Sequence, residues 1–365
     1  MSIRTAFSWA RPRAWRIVSL VSVLLVGMLL AAPAAHAAGI TYYVSAAGDD
    51  ANSGTSTSAP WRSLSKINNT VFGPGDQILL RSGDVWSGGI TMRSAGSDGN
   101  PITIGAYGSG NKPLINGGGT VQGAVQIIDV SNIVVDGLAL TNYTGASVYD
   151  DPECNCDGIK ILGFGAATDN LTIRNNEVYN VEGFSNNASI GPPRGTTLDP
   201  SQNNLYTSGA IYQGGTAHNV TIENNYIHDN SNDGMQLTTV SSGLVIRNNM
   251  VNNTGADGIT YENTTSPLIE HNSVIGAGNN SGTATLGPGE IGGNGAAVAG
   301  LWGAFHTGQV AQFNYVEGTK RILWDGQAWD FDNGTSNGVY QYNFSRDNDG
   351  GFALGGNDSE VYRYN

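Results

Sequence analysis

The sequence predicts an all-β chain wound as a right-handed parallel β-helix, and three observations carry that prediction. Segments beginning at Asn170, Asn219, Gly243, Pro267 and Gly338 align without gaps on Asn176, Asn225, Asn249, Asn272 and Asn343, with Asn314 and Asn365 in the same column. An Asp-Gly column runs through Asp157, Asp233, Asp257, Asp325 and Asp349, and the steps 225 to 249, 233 to 257 and 325 to 349 are each 24 residues. Such a unit is too short for a helical module but holds two or three short strands with turns, one rung of a solenoid. Within the units apolar residues alternate, as in Leu171 and Ile173, Val220 and Ile222, Leu244 and Ile246, which is the period of a strand with one face inward. Asparagine after each strand suits a turn, and stacked asparagines can also bond one another.

The 365 residues divide around that repeat into a leader at 1–37, an N-terminal cap at 38–74 and the β-helix at 75–365, which stops in mid-coil at Asn365 as if truncated. The leader places Arg4, Arg11, Arg13 and Arg16 ahead of an apolar run from Ile17 to Ala32, with small residues at Ala35-His36-Ala37. This is the form of a secretory signal of bacterial type, so a secreted protein, extracellular or at the cell surface, is expected, without a membrane association after cleavage. In the cap, Thr41 to Ser45 reads as an edge strand, and Ser58, Pro60, Trp61, Leu64 and Ile67 read as an N-capped amphipathic helix over the open end of the barrel.

Composition narrows the function. With 52 glycines a coiled coil is excluded, and a formal charge of -13 argues against binding nucleic acid. Removing the leader leaves 13 basic residues against 30 acidic, a net -17. Cys154 and Cys156 form at most one local bridge, and the scattered His218, His228, His271 and His306 do not have zinc-ligand spacing. Gly287, Gly289 and Gly292 satisfy GxGxxG, and Ser63 with Lys66 satisfies SxxK, both without the flanking elements that would give these strings meaning.

The runs TYYVSAAGDDANSGT, GDQILLRSGDVWSGGI, PITIGAYGSGNKPLING and WDGQAWDFDNGTSNGVYQYNFSRDNDGGF resemble the secreted, pectate-lyase-like β-helix proteins that act on polysaccharides. The resemblance covers essentially all of the chain after the leader. It implies the fold and a polysaccharide partner, while the superfamily holds lyases, hydrolases, epimerases and members without activity. The Asn-Thr-Asp and Arg-Ile-Lys runs of its polygalacturonase branch do not occur here.

The repeat also locates a candidate site. A polar insertion from Glu182 to Ser208 and a glycine-rich one from Gly276 to Gly295 leave the barrel at the same corner, three coils apart, and would wall a groove about 14 Å wide at the spacing of parallel strands. His228, Asp229, Asp233 and Asp257 are expected to face it, as are Thr238, Glu262 and Asp330, five residues after the column aspartates. Lys320, Arg321, Asp325, Trp324 and Trp329 follow the second insertion; carboxylates bind hydroxyls, metal or a proton, and indoles stack on sugars. An aspartate before glycine also bonds local backbone, the plainer reading of each column member. Adjacent aspartates repel unless a proton or a cation lies between them, so Asp233 and Asp257 are the expected calcium ligands, with no organic cofactor. The Asp330–Gly334 and Asp347–Gly351 strings resemble calcium loops without the closing glutamate.

Three functions follow from these residues, in a chain expected to be monomeric. The first is a lyase on a uronic-acid glycan, with Lys320 or Arg321 as base, His228 as the next candidate, and calcium on the substrate carboxylate. The second is a glycoside hydrolase using two of Asp233, Asp257, Glu262, Asp325 and Asp330, one coil apart in a retaining enzyme and two coils apart in an inverting one. The third is a non-catalytic β-helix for glycan binding or adhesion, in which alanine at Asp233, Asp257 and Asp330 leaves binding intact.

Overall fold

In the computed structural model the described residues are 39–143, 156–182, 208–279, 297–321, 324–332, 334–355 and 359–365. The leader, Cys154, most of both insertions and the Gly287–Gly292 string lie outside them. Cys156 is buried and disulfide-bonded.

Parallel strands form one sheet of nineteen and another of nine. Their registers confirm the coil. On the larger sheet, Ile78, Ile104, Val135, Ile173, Ile222, Ile246, Ile269, Ala311 and Tyr340 pair in succession, all buried. On the smaller, Trp86, Ile115, Leu140, Val178, Ile227, Val251, Val274 and Val316 do the same. These two columns face one another across the barrel, and each fully buried aliphatic side chain contributes about 1.5–3 kcal/mol. The core is therefore a line rather than a ball, extended by one rung per repeat. No helix among the described residues is long and apolar enough to cross a membrane.

The asparagine column is a hydrogen-bonded ladder. From Asn176 through Asn225, Asn249, Asn272, Asn314 and Asn343, each Nδ2 donates to Oδ1 of the next, ending on Asn365, at 3.0–3.2 Å. The second amide hydrogen goes to a carbonyl on the strand of the preceding coil, Ile222 for Asn249 and Ile246 for Asn272, both at 2.9 Å. These asparagines do not adopt the left-handed turn conformation themselves. The residue before each does: Asn175, Asn224, Asn248, His271, Phe313, Tyr342 and Tyr364 have φ between 55° and 57°. Asparagine accepts that conformation readily, but the bulkier residues are held by mutual stacking, His271 on Phe313 at 5.0 Å and Phe313 on Tyr342 at 5.2 Å.

The cap differs from expectation in its helix. It spans Leu64–Asn68, with Ser63 rather than Ser58 as N-cap, its Oγ accepting from Lys66 N at 3.1 Å. Trp61 N donates to Tyr43 O and Ser45 N to Trp61 O, which holds Pro60 to Arg62 extended beside the first strand, Thr41–Val44. Trp61, Leu64 and Ile67 are nonetheless buried over the barrel end, and the Ser63/Lys66 string is a helix cap.

Candidate active site

The Asp-Gly column opens the strands of the larger sheet. Asp157, Asp233 and Asp257 each turn Oδ1 onto a backbone N–H of the following coil: Gly209 at 2.9 Å, Asp257 at 3.0 Å and Ala299 at 2.6 Å. The glycine after the aspartate is required by close approach inside the barrel rather than by a turn, since a Cβ at Gly258 would lie 2.3 Å from Val274 Cγ1. Asp157, fully buried, pairs with Lys160 at 2.9 Å; burial lifts its carboxyl to about 6 against the pull of Lys160 and the Gly209 N–H. Asp233 is pushed well above the carboxylate range by burial and then by the charge of Asp257. Asp257 rises to about 7 through burial and the charges of Asp330, Asp325 and Glu262, opposed by the Ala299 N–H.

Two coils further on, the pattern is broken by a bulge. Val298 pairs with Asp325 but Ala299 pairs with Gln327, leaving Gly326 as an extra residue, and Asp325 and Gly326 have φ of 63° and 88°. Bulges re-aim side chains and are frequent beside active sites. Here Gln327, not Asp325, continues the column of Asp257. Asp330 is therefore not in line with Thr238 and Glu262. It continues Thr260 and Trp302, while Glu262 continues through Ala304 to Asp332. Leu301, Trp329 and Phe331 point into the core, so Trp302, Asp330 and Asp332 share the outer face.

This face gathers carboxylates. Asp330 is lifted to about 7 by burial, then by the charges of Asp325 and Asp332, with a hydrogen bond from Gln327 Nε2 to its Oδ2 at 2.9 Å opposing the rise. Asp325 is raised by burial and by Asp332, opposed by Gln327 and Arg321. Glu262 is raised by burial and then by Asp332.

The remaining sequence-predicted residues are placed differently. Trp329 is core and cannot stack on a sugar from outside; the Trp324 side chain lies outside the described residues. His228 and Asp229 lie on the strand Tyr226–Asn230 of the smaller sheet, before the corner that leads to Asp233. There His228 stacks on Tyr179 and Tyr226, its Nδ1 is 2.8 Å from Asp229 Oδ2, and Asp229 also accepts from Asn253. Lys320 and Arg321 are both engaged: Lys320 Nζ is 3.7 Å from Asp349 Oδ1, and Arg321 Nε donates to the Asp325 carbonyl at 2.8 Å.

Calcium at Asp233 and Asp257 does not fit this donor set. A calcium ion takes six to eight oxygens, whereas each of these carboxylates commits Oδ1 to a backbone N–H. Among the described residues no three His, Cys, Asp or Glu side chains converge as ligands.

Trp302, Gln327 and Asp332 were not found from sequence as site residues. Alternation through Trp329-Asp330-Phe331-Asp332 would have put both aspartates on the outer face; Trp302 and Gln327 follow only from register.

Comparison with known proteins agrees with the fold. Residues 119–295 match the family model described as right handed beta helix region. The fold is the right-handed parallel β-helix. A stretch of 222 residues is 34% identical to a lacto-N-biosidase of Bifidobacterium longum subsp. longum, covering 52% of this chain and 12% of that protein. The crystal structure of a lacto-N-biosidase from Eubacterium ramulus superposes with a TM-score of 0.69 at 24% identity, over 86% of this chain and 57% of that one. A pectate lyase superposes with a TM-score of 0.50 at 16% identity, over 84% of this chain and 70% of that one. The chain thus spans little more than half the length of the Eubacterium protein and about an eighth of the Bifidobacterium one, and the two structural likenesses are likenesses of fold.

Proposed function

We propose that this chain is the β-helix of an exported glycoside hydrolase acting on a neutral glycan, with Asp330 as proton donor and Asp325 as the second carboxylate. The observation that carries the proposal is the pair itself. Two aspartates on one strand hydrogen-bond the same buried amide, and Asp330 is held near 7, where it keeps a proton to give at neutral pH. The partial relative being a lacto-N-biosidase, a glycoside hydrolase, supports the same class, and the leader supports export.

In the reaction, the Asp330 hydroxyl protonates the glycosidic oxygen as the bond from that oxygen to the anomeric carbon breaks. Asp325, ionised, stabilises the positive charge that develops on the sugar ring. It then takes either the anomeric carbon itself or the proton of the attacking water, and the anomer first released tells which. Elimination from a uronate is disfavoured on the same face. Glu262, Asp325 and Asp332 lie with Asp257 and Asp330 within three successive coils, the ionised members would repel an anionic sugar, and the nearby cations are committed to Asp349 and to the Asp325 carbonyl.

The test is incubation with lacto-N-biose-terminated and other neutral oligosaccharides and, separately, with polyuronates. New reducing ends from a neutral glycan, without ultraviolet-absorbing unsaturated products, is the expected result. Unsaturated uronides would establish a lyase instead, and glycan binding without either product would leave the non-catalytic reading.

A further inference from the structure

The column of Asp157, Asp233 and Asp257 changes character where it reaches the candidate carboxylates. Register carries it through Ala299 to Gln327, which is 1% exposed. At Asp157, Asp233 and Asp257 the column residue is an acid that accepts an N–H of the following coil, while Gly209 and Ala299 hold the same position in the coils between. Gln327 instead turns its amide along its own strand, donating from Nε2 to Asp330 Oδ2 at 2.9 Å and hydrogen-bonding Asp325. The extra residue at Gly326 is what puts Gln327, rather than Asp325, in the column of Asp257. A carboxylate at 327, the residue type of the column below, would stand between two others and repel both. An amide has two N–H groups in a fixed plane and no charge.

We propose that Gln327 is a positioning residue that holds Asp325 and Asp330 at a fixed separation and, by donating to both, keeps each carboxyl from being driven further toward its protonated form. The inference rests on the glycosidase reading and adds to it the group that ties the acid to its partner. Asp330 also accepts from the backbone N–H of Phe331, so its carboxyl is held by the amide and by its own strand. An N–H donor favours the ionised form of each carboxylate, so its removal raises both pKa values.

The test compares Gln327→Met, which keeps the volume and loses the donors, with Gln327→Asn, which keeps an amide too short to reach Asp330. Two readouts are taken on the whole chain: the pH dependence of kcat on a neutral glycan, and ¹³Cγ titration of aspartate-labelled protein, with Asp330 assigned through Asp330→Asn. In both variants the Asp330 resonance is expected to titrate roughly one pH unit higher, and both limbs of the rate profile move the same way, with KM changed less than about twofold. A resonance and profile unmoved in a variant that melts like the parent would overturn the proposal, as would a uniform fall in kcat at every pH. If Gln327→Met does not fold, Gln327→Asn decides alone. If the parent cleaves no glycan, the glycosidase reading fails, while the titration still decides whether Gln327 governs the pair.

Discussion

Asp233 Oδ1 accepts the backbone N–H of Asp257 at 3.0 Å, so an aspartate that looks like a metal ligand in the sequence is a rung of the backbone. Together with the Ala299 N–H on Asp257, the contact gives each of two acids on adjacent coils a backbone N–H to accept. Each keeps its acceptor in the ladder, and burial together with neighbouring carboxylates favours the protonated form, Asp257 acting on Asp233 and Asp330 on Asp257.

That arrangement sets a pH dependence of stability. Asp157, Asp257 and Asp330 have folded values of about 6, 7 and 7, above the unfolded value, and Asp233 is raised as well. The folded state therefore holds more protons than the unfolded one from about pH 4 to 7, and the stability this brings is lost as pH rises through that window. His306, buried and depressed to about 4, acts in the opposite sense below its unfolded value near 6.5 but is a single group. Thermal melting is expected to give a Tm that falls between pH 6 and pH 8, within the raised values.

Asp257→Asn keeps the oxygen that accepts the Ala299 N–H and removes the charge. It is expected to melt at or above the parent at pH 8 and to show a shallower fall of Tm with pH. Added calcium should leave both proteins unchanged; a calcium-dependent rise in Tm that Asp257→Asn abolishes would restore the metal reading.

The asparagine ladder is expected to be costly to break in the middle. Asn249→Ala removes the acceptor for the N–H and Nδ2 of Asn225 and the donor to Ile222 O and Asn272 Oδ1, all in the buried interior. Unsatisfied buried donors and acceptors cost about 1–3 kcal/mol each, so urea denaturation should show a loss of about 3 kcal/mol or more. A loss below about 1 kcal/mol, the net worth of one ordinary hydrogen bond, would mean that water replaces the rung.

How far the sequence reaches is visible in these same residues. The coil was legible because its period, inward alternation and asparagine column all describe one translation, and every rung repeats the signal. The site was legible only in part. Asp257, Glu262, Asp325 and Asp330 do share a face, but the gapless alignment put Asp330 in the column of Glu262, because it had no means of seeing that Gly326 is looped out. His228 and Asp229, expected to face the groove with Asp233, lie on the smaller sheet instead, because four residues from Asp229 to Asp233 are enough to turn a corner, and a period of 24 says nothing about where within the rung the chain bends. Trp329 was taken for a sugar platform and Trp302 overlooked for a related reason: indole suits either face, and only strand parity distinguishes them.

Tyr342 tests the left-handed positions. With φ of 55°, it stacks at 5.2 Å on Phe313 and 5.1 Å on Tyr364. Left-handed backbone costs a non-glycine residue about 1–2 kcal/mol, and each stack returns about 0.5–1.5 kcal/mol. Tyr342→Gly should therefore be close to neutral, whereas Tyr342→Val, β-branched and without a ring, should lose about 2–3 kcal/mol in urea denaturation. Equal losses for the two would mean that stacking alone governs this turn.

The roles of Asp330 and Asp325 separate by their response to the leaving group. Asp330→Asn removes the proton donor, so hydrolysis of a natural glycan should fall by about 10²–10⁴-fold, while an aryl glycoside, whose phenolate leaves without a proton, should retain much of its rate. Asp325→Asn should fall by a similar factor on both substrates, and sodium azide should recover part of the activity by supplying the missing nucleophile, with a glycosyl azide as product. In the parent, kcat should decline as pH rises through about 7, where Asp330 loses its proton, and that limb should disappear for the aryl glycoside. Asp332→Asn removes a neighbouring charge, so it should lower the pH at which the limb falls and leave the aryl-glycoside rate nearly unchanged. If Asp332→Asn instead showed the azide recovery and Asp325→Asn did not, the second carboxylate would be Asp332, and Asp325 would be the residue that tunes the acid.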